Sequence, residues 1–250
     1  MPPEASDAIR SRSFGAVAEL YHRYRPGPPD QAVDWLLPPA CRTALDLGAG
    51  TGALTRMVVD RVPRVVALEP DDRMRAVLVD HAGGASVVAA RAEDIPLRAG
   101  TVNAVTAASS WHWVDPERGF PEVARVLAPG GVLGLLWNSP DRRIPWVADL
   151  LGDRAGPEGG ERRHLRDVDV PEGLPFGAPE TSVVRWYATL SHDEVVGLAG
   201  TYSRVITLPE ADRAVLLDQL TETVRAHPML AGREAVRLPM VCWCWRAVRH

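Results

Sequence analysis

The run Asp46-Leu47-Gly48-Ala49-Gly50-Thr51-Gly52 has the residue types and spacing to hold a ligand against bare backbone. Glycine accepts positive φ and lets a ligand approach the main chain closely, and this run follows a strand-like segment and opens a helix-like one. Read as Gly48-x-Gly50-x-x-Ala53, it also meets the dinucleotide fingerprint, so the glycines alone admit nicotinamide and other adenosine cofactors. The charges beside them discriminate. Asp46 stands just before the first glycine, where a carboxylate repels a pyrophosphate and favours a cation. Glu69 closes the next apolar run, at the interval of about 20 residues from which an acid reaches the ribose hydroxyls of adenosine. Adenosine with a cationic tail describes S-adenosylmethionine, which carries an ammonium and a sulfonium, better than it describes NAD.

These groups need a scaffold, and the apolar pattern supplies one. Ala44 to Leu47 and Val65 to Glu69 read as strands, with a helix over Ala53 to Asp60 between them. Met74, Val77, Leu78 and His81 repeat at helical spacing before a third strand at Ser86 to Ala90. Val102 to Ala108 is a fourth strand. Phe120, Val123, Ala124 and Leu127 mark another helix, stopped by Pro129-Gly130-Gly131, and Val132 to Trp137 is a fifth strand. Strands alternating with helices in this way predict a parallel, doubly wound α/β sheet. Residues 152–179 are rich in Gly and Pro and read as a connector with a mobile lid edge. Val183 to Thr189 and Val241 to Arg246 then read as strands, with helices at His192 to Ala199 and Glu210 to Ala226. No internal repeat is present.

Composition excludes several chemistries. Every one of the 28 basic residues is arginine, so no lysine is available for a Schiff base, a Walker-type phosphate contact or a kinase site. The formal charge of -4 argues against a nucleic-acid binder. Cys41, Cys242 and Cys244 make neither a disulfide framework nor a tetrahedral metal set, and Cys242-x-Cys244 alternates with tryptophans as a strand does. No metal is expected. Without an apolar run of about 18 residues, no membrane span or leader is expected either, and a cytoplasmic location fits best.

The Asp46 to Gly52 loop, Glu69-Pro70, Ala92-Glu93-Asp94-Ile95-Pro96-Leu97 and Trp111-His112-Trp113 occur in an order that resembles the class I S-adenosylmethionine-dependent methyltransferases. Within them the chain is similar to a small-molecule branch that includes quinone-biosynthesis and trans-aconitate methyltransferases. The resemblance runs from about Phe14 to Trp146. It implies a Rossmann-like, mostly parallel seven-stranded sheet with an antiparallel C-terminal strand. It also implies an N-terminal helical cover over 1–40, a cofactor-binding core over 41–150, and a loop or lid with the completing strands and helices over 151–250. By the same resemblance Asp46 and the Gly48 and Gly50 backbone hold the methionine portion, Gly52 belongs to the same cofactor-binding loop, and Glu69 holds the ribose. Pro70 and Met74 line the adenine pocket, and Ala92 and Glu93 meet the adenine edge. Arg91 departs from the family, where an Asp is common, so the adenine amino contact comes from another group or is missing. Tyr21 and Arg25 would close over the methionine end, with Arg25 reaching its carboxylate. Glu93 and Asp94 equally suit a capped turn, and Met74 suits a core stripe.

The acceptor is expected beyond the fourth strand, at Ser109 to Asp115. Methyl transfer is an in-line displacement, helped mainly by alignment; Trp111 and Trp113 offer flat walls, and His112 has the pKa of a proton acceptor or serves as an anchor. The two tryptophans share a face if the segment is extended and diverge if it starts a helix, so at least one belongs to the core. Asn138, after the fifth strand, is also placed near the acceptor. His22 and His192 read as surface residues. The expected activity is methyl transfer to a small organic acceptor, with oxygen slightly favoured over nitrogen or carbon. A NAD-linked oxidoreductase and a non-catalytic cofactor-binding regulator are the competing readings.

Overall fold

The computed structural model describes residues 17–151 and 168–250. The chain enters through two short helices, α1 (Ala18–Tyr24) and α2 (Asp30–Leu36). It then alternates β1 (Thr43–Leu47), α3 (Ala53–Val59), β2 (Arg64–Leu68), α4 (Asp72–His81), β3 (Ser86–Val88) and β4 (Val102–Ala108). A 3₁₀ turn over Trp111–Trp113 leads into α5 (Pro116–Val126), the long β5 (Leu127–Pro140) and α6 (Pro145–Leu151). The rest comprises β6 (Glu180–Leu190), α7 (His192–Gly200), α8 (Ser203–Ile206), α9 (Glu210–Ala226) and β7 (Val236–Val248).

The strands make one seven-stranded sheet in the order β3-β2-β1-β4-β5-β7-β6. β1 to β5 are parallel, and β7 runs antiparallel to both of its neighbours. This is the Rossmann-like α/β sheet with an antiparallel C-terminal strand that the sequence predicts. The order of the first strands reverses between β1 and β4, and a crevice opens beyond the strand ends at such a reversal.

Alternation along each strand decides which helix layer a side chain meets. Leu45, Leu47, Val105 and Leu133 face a core with Phe120 and Val123 of α5. Ala44, Ala104 and Leu136 face the other side, with Ala32, Val33 and Leu36 of α2 and Leu54 and Val58 of α3. Local capping sets the helix starts. Asp71 accepts from the Arg73 and Met74 amides, Asp115 from Glu117, and Ser191 with Glu194 forms a reciprocal capping box.

One expectation changes. Pro129-Gly130-Gly131 does not separate helix from strand but lies within β5. Pairing starts at Val102↔Leu127 and resumes at Ala104↔Val132, so the extra residues form an irregularity in the ladder, and the Gly130 amide donates to the Arg249 carbonyl. The described part of the Gly/Pro-rich stretch, residues 168–179, packs against the sheet. Val168 is buried in the α5-side core, Phe176 packs edge-on against Phe120 at 6.1 Å, and the Gly177 amide donates to the Val248 carbonyl. Residues 152–167, and the first 16 residues of the expected cover, lie outside the described residues. Among the described residues no helix is long and apolar enough to cross a membrane.

Candidate functional site

The glycine loop is built as its residues require. Gly48, Gly50 and Gly52 have φ of 59°, 58° and 88°, the left-handed region that costs other residues about 1–2 kcal/mol. The Ala49 amide donates to the Leu68 carbonyl at 2.9 Å, pinning the loop to the end of β2. A Cβ on Gly50 would meet nothing within 4 Å, so the crest of the loop faces open space.

Glu69 stands at that crest. Its Oε2 accepts from the Gly50 amide at 2.8 Å and its Oε1 from the Asp71 amide at 2.9 Å. The carboxylate is only 7% exposed, and burial pushes its pKa up, opposed by the two backbone bonds. A carboxylate has about four lone-pair sites, so two remain for incoming hydroxyls. A fixed acceptor beside a loop whose crest, Gly50, carries no side chain and faces open space suits the vicinal diol of a nucleoside, and on this observation the residues fit S-adenosylmethionine.

Asp46 is placed otherwise than expected. Period-two alternation sets it on the face of Ala44, beneath the loop and 1% exposed. Its Oδ2 accepts from the Thr55 hydroxyl at 2.6 Å and its Oδ1 from the Thr106 hydroxyl at 3.3 Å. Burial pushes its pKa to about 7 against these two bonds. Asp46 is therefore a buttress joining β1 to α3 and β4, half-ionised near neutrality, rather than a charged pocket floor. Motif and spacing do not point to Thr55 and Thr106. Their signal in the sequence is a hydroxyl within an apolar strand or helix face, and Thr106 is the strand partner of Asp46.

The remaining candidates divide. Pro70 is exposed beside the loop, Ala92 is half-buried against the α5-side core, and the Ser110 hydroxyl closes the other side of the loop by donating to the Leu47 carbonyl at 2.8 Å. Met74 is no free pocket wall: it is 5% exposed and packs with Ala18, Val77 and Tyr21, because α1 lies on α4 there. Glu93 accepts from the Asp115 amide at 3.0 Å and pairs with Arg91 at 3.4 Å, so it ties its loop to the start of α5. Trp111 is core, edge-on to Phe120 at 4.9 Å, whereas Trp113 is half-buried and His112 exposed, their rings 4.5 Å apart. The 3₁₀ turn makes the two tryptophans diverge.

The N-terminal cover is tied down by side chains. Asn138 donates to the Pro26 and Gly27 carbonyls and accepts from the Trp186 indole at 3.0 Å, a bracing role that occupies both ends of its amide. Arg25 donates to the Thr201 hydroxyl at 2.9 Å and carbonyl at 3.3 Å, and sits over the Tyr21 ring. His22, expected at the surface, is half-buried. It stacks on His81 at 3.9 Å, and desolvation, then the His81 and Arg56 charges, lowers its pKa against a bond to the Thr51 backbone. His192 is half-buried as well. The Tyr24 ring lies flat on Gly197 of α7, where a Cβ would come within 2.6 Å of it. Cys242 and Cys244 are buried in β7 within the α3-side core, as a strand reading requires.

Comparison with known proteins agrees with this geometry. A family model described as a methyltransferase domain matches residues 45–135, which contain the glycine loop, Glu69 and His112. The chain is 43% identical to an uncharacterized methyltransferase of Mycobacterium tuberculosis over 237 residues, 95% of this chain and 96% of the relative. It is 27% identical to an uncharacterized methyltransferase-like protein of Schizosaccharomyces pombe, covering 93% and 94% of the two chains. A solved structure from Anaeromyxobacter dehalogenans, provisionally assigned as a type II methyltransferase, superposes with a TM-score of 0.65 at 26% identity, over 90% of this chain and 98% of its own. With the strand order, the loop and a 43% relative along nearly the full length in accord, the chain belongs to the class I S-adenosylmethionine-dependent methyltransferases.

Proposed function

We propose that the protein transfers the methyl group of S-adenosylmethionine to a small organic acceptor, with oxygen the favoured receiving atom. The observation that carries the donor half is Glu69, a nearly buried carboxylate anchored by two backbone amides at the open crest of the glycine loop. In this reading Glu69 orients the ribose hydroxyls, the Gly48 to Gly52 backbone admits the methionine portion, and Pro70 and Ala92 flank the adenine. The bound donor supplies an electrophilic methyl on a sulfonium. The chain's own part is then alignment and proton removal. His112 and Trp113 follow the carboxyl end of β4, where Trp113 can wall the acceptor and His112 can take a hydroxyl proton. Titration of the protein with S-adenosylhomocysteine and with NADH tests the donor; saturable binding of NADH alone would reverse the assignment.

His112→Ala is expected to lower methyl incorporation by about 10²- to 10⁴-fold, the range of a lost general base, with S-adenosylhomocysteine affinity unchanged. Labelled methyl transfer into a metabolite extract reads this out. Unchanged turnover would leave His112 an anchor and remove the argument for oxygen.

Asp46 makes donor binding depend on pH. A cation nearby favours the ionised carboxylate, so binding and ionisation are linked. With its carboxyl at about 7 in the free protein, affinity for the sulfonium donor is expected to rise by up to about tenfold from pH 6 to pH 8. Asp46→Asn should flatten that profile. The same shift acts oppositely on folding: a pKa raised above the unfolded value of about 3.9 means that this group's contribution to stability falls as pH rises from about 4 to 7. Calorimetry at several pH values checks the first, and denaturant melts the second.

A further inference from the structure

Glu69 and Pro70 meet the ribose and flank the adenine in the reading above, yet their backbone has few ways to fasten itself. Proline has no N–H, and the Glu69 amide goes to the Val88 carbonyl of β3 at 3.1 Å. Two carbonyls remain. Both accept from one side chain: Arg75 of α4 donates from Nη1 to the Glu69 carbonyl at 2.9 Å and to the Pro70 carbonyl at 3.3 Å. Its Nη2 donates to the Asp72 carboxylate, which steadies the guanidinium there.

Helix stability does not explain an arginine at this place. Arg75 lies close to the start of α4, the end at which the helix dipole disfavours a cation. Its partner Asp72 is 89% exposed, and an ion pair so open to water contributes little. The bonds to the turn differ in kind. A guanidinium holds its N–H groups in a rigid plane, so gripping two successive carbonyls fixes the peptide between them, which a flexible ammonium does less well.

The Glu69 side chain hangs from that peptide. Its carboxylate reaches one amide in the glycine loop, Gly50 at 2.8 Å, and one before α4, Asp71 at 2.9 Å, and these bonds direct the lone pairs left for the ribose. Movement of the Glu69 backbone would loosen both. The charge of Arg75 acts in the same sense: burial and the Asp71 charge raise the Glu69 pKa, whereas the two amides and Arg75 lower it and favour the ionised acceptor.

We propose that Arg75 is a positioning residue of the donor site: by holding the Glu69 and Pro70 carbonyls it sets the Glu69 carboxylate for the ribose hydroxyls, and so decides how strongly the site prefers ribose to deoxyribose. This rests on the donor assignment above.

The probes are S-adenosylhomocysteine and its 2′-deoxyribose analogue, titrated by calorimetry into the full chain. Their affinity ratio isolates the contact between Glu69 and the 2′-hydroxyl, because everything else in the two ligands is shared. The unaltered protein is expected to favour the ribose form by at least about tenfold, the effect of one hydrogen bond to a charged acceptor. Arg75→Gln, shorter and uncharged, should reduce that preference to about threefold or less, and Arg75→Lys, which keeps the charge without the planar group, should fall between. Urea melts on the same samples separate fold from function. A residue that merely steadies α4 would lower the melt and leave the ratio where it was, so a ratio in Arg75→Gln within about twofold of the unaltered protein would overturn the proposal. If Arg75→Gln does not fold, an undiminished ratio in Arg75→Lys overturns it instead. Equal binding of the two ligands by the unaltered protein would take Glu69 away from the ribose, and failure of S-adenosylhomocysteine to bind at all would remove the donor assignment, each carrying this inference with it.

Discussion

Glu69→Ala is expected to weaken S-adenosylhomocysteine binding by about 10²- to 10⁴-fold, because two hydrogen bonds from ribose hydroxyls to a charged acceptor contribute about 1.5–3 kcal/mol each. Glu69→Gln, which keeps one acceptor oxygen, should fall between the variant and the unaltered protein. Stability should not follow affinity. Burial raises the Glu69 pKa, so at pH values above the ordinary carboxylate range the ionised side chain opposes folding. Removing that charge offsets the loss of its bonds to the Gly50 and Asp71 amides, and the net change in unfolding free energy of Glu69→Gln is expected to be within about 1 kcal/mol. Calorimetry for the ligand and urea melts for the fold, run on the same samples, separate the two. Binding of S-adenosylhomocysteine by Glu69→Ala within a factor of about three of the unaltered protein would remove Glu69 from the site.

Gly48→Val should strongly destabilise the loop. Its φ of 59° costs a residue with a Cβ about 1–2 kcal/mol. That Cβ would also fall 2.7 Å from the Ser110 Cβ and 3.0 Å from its hydroxyl oxygen, the group that holds the Leu47 carbonyl. Overpacking of this kind adds about 1–3 kcal/mol, giving a total of about 2–5 kcal/mol. Gly50→Ala is the control. Its φ of 58° carries the same backbone cost, but the space around it is open, so it should lose only about 1–2 kcal/mol. Equal melts for the two variants would show that the Gly48 and Ser110 contact is not a constraint on the loop. Gly50→Ala should in turn harm ligand affinity more than stability, since its methyl group would project into the space above the crest.

The sequence determined the sheet and the chemistry of the loop by local rules. Apolar runs with turns between them located the strands, and the interval from Gly50 to Glu69 is one strand-helix-strand turn, so a short-range pattern was enough to bring those two residues together at 2.8 Å. For Trp111 and Trp113 the sequence admits two arrangements because their divergence depends on the backbone between them, and the 3₁₀ turn decides it. Tertiary structure decided what pairs at long range. The inward turn of Asp46 was implicit in the alternation it shares with Ala44, but its buried state near neutrality needed Thr106, 60 positions away, and Thr55 on the next helix. Likewise Asn138 and Arg25 take their roles from residues more than a hundred positions distant, and no local period encodes such a meeting. Local patterns fix which backbone a stretch adopts, because those forces act over a few residues. Which buried polar group meets which is set by how the finished layers stack, and that determines charge state and accessibility.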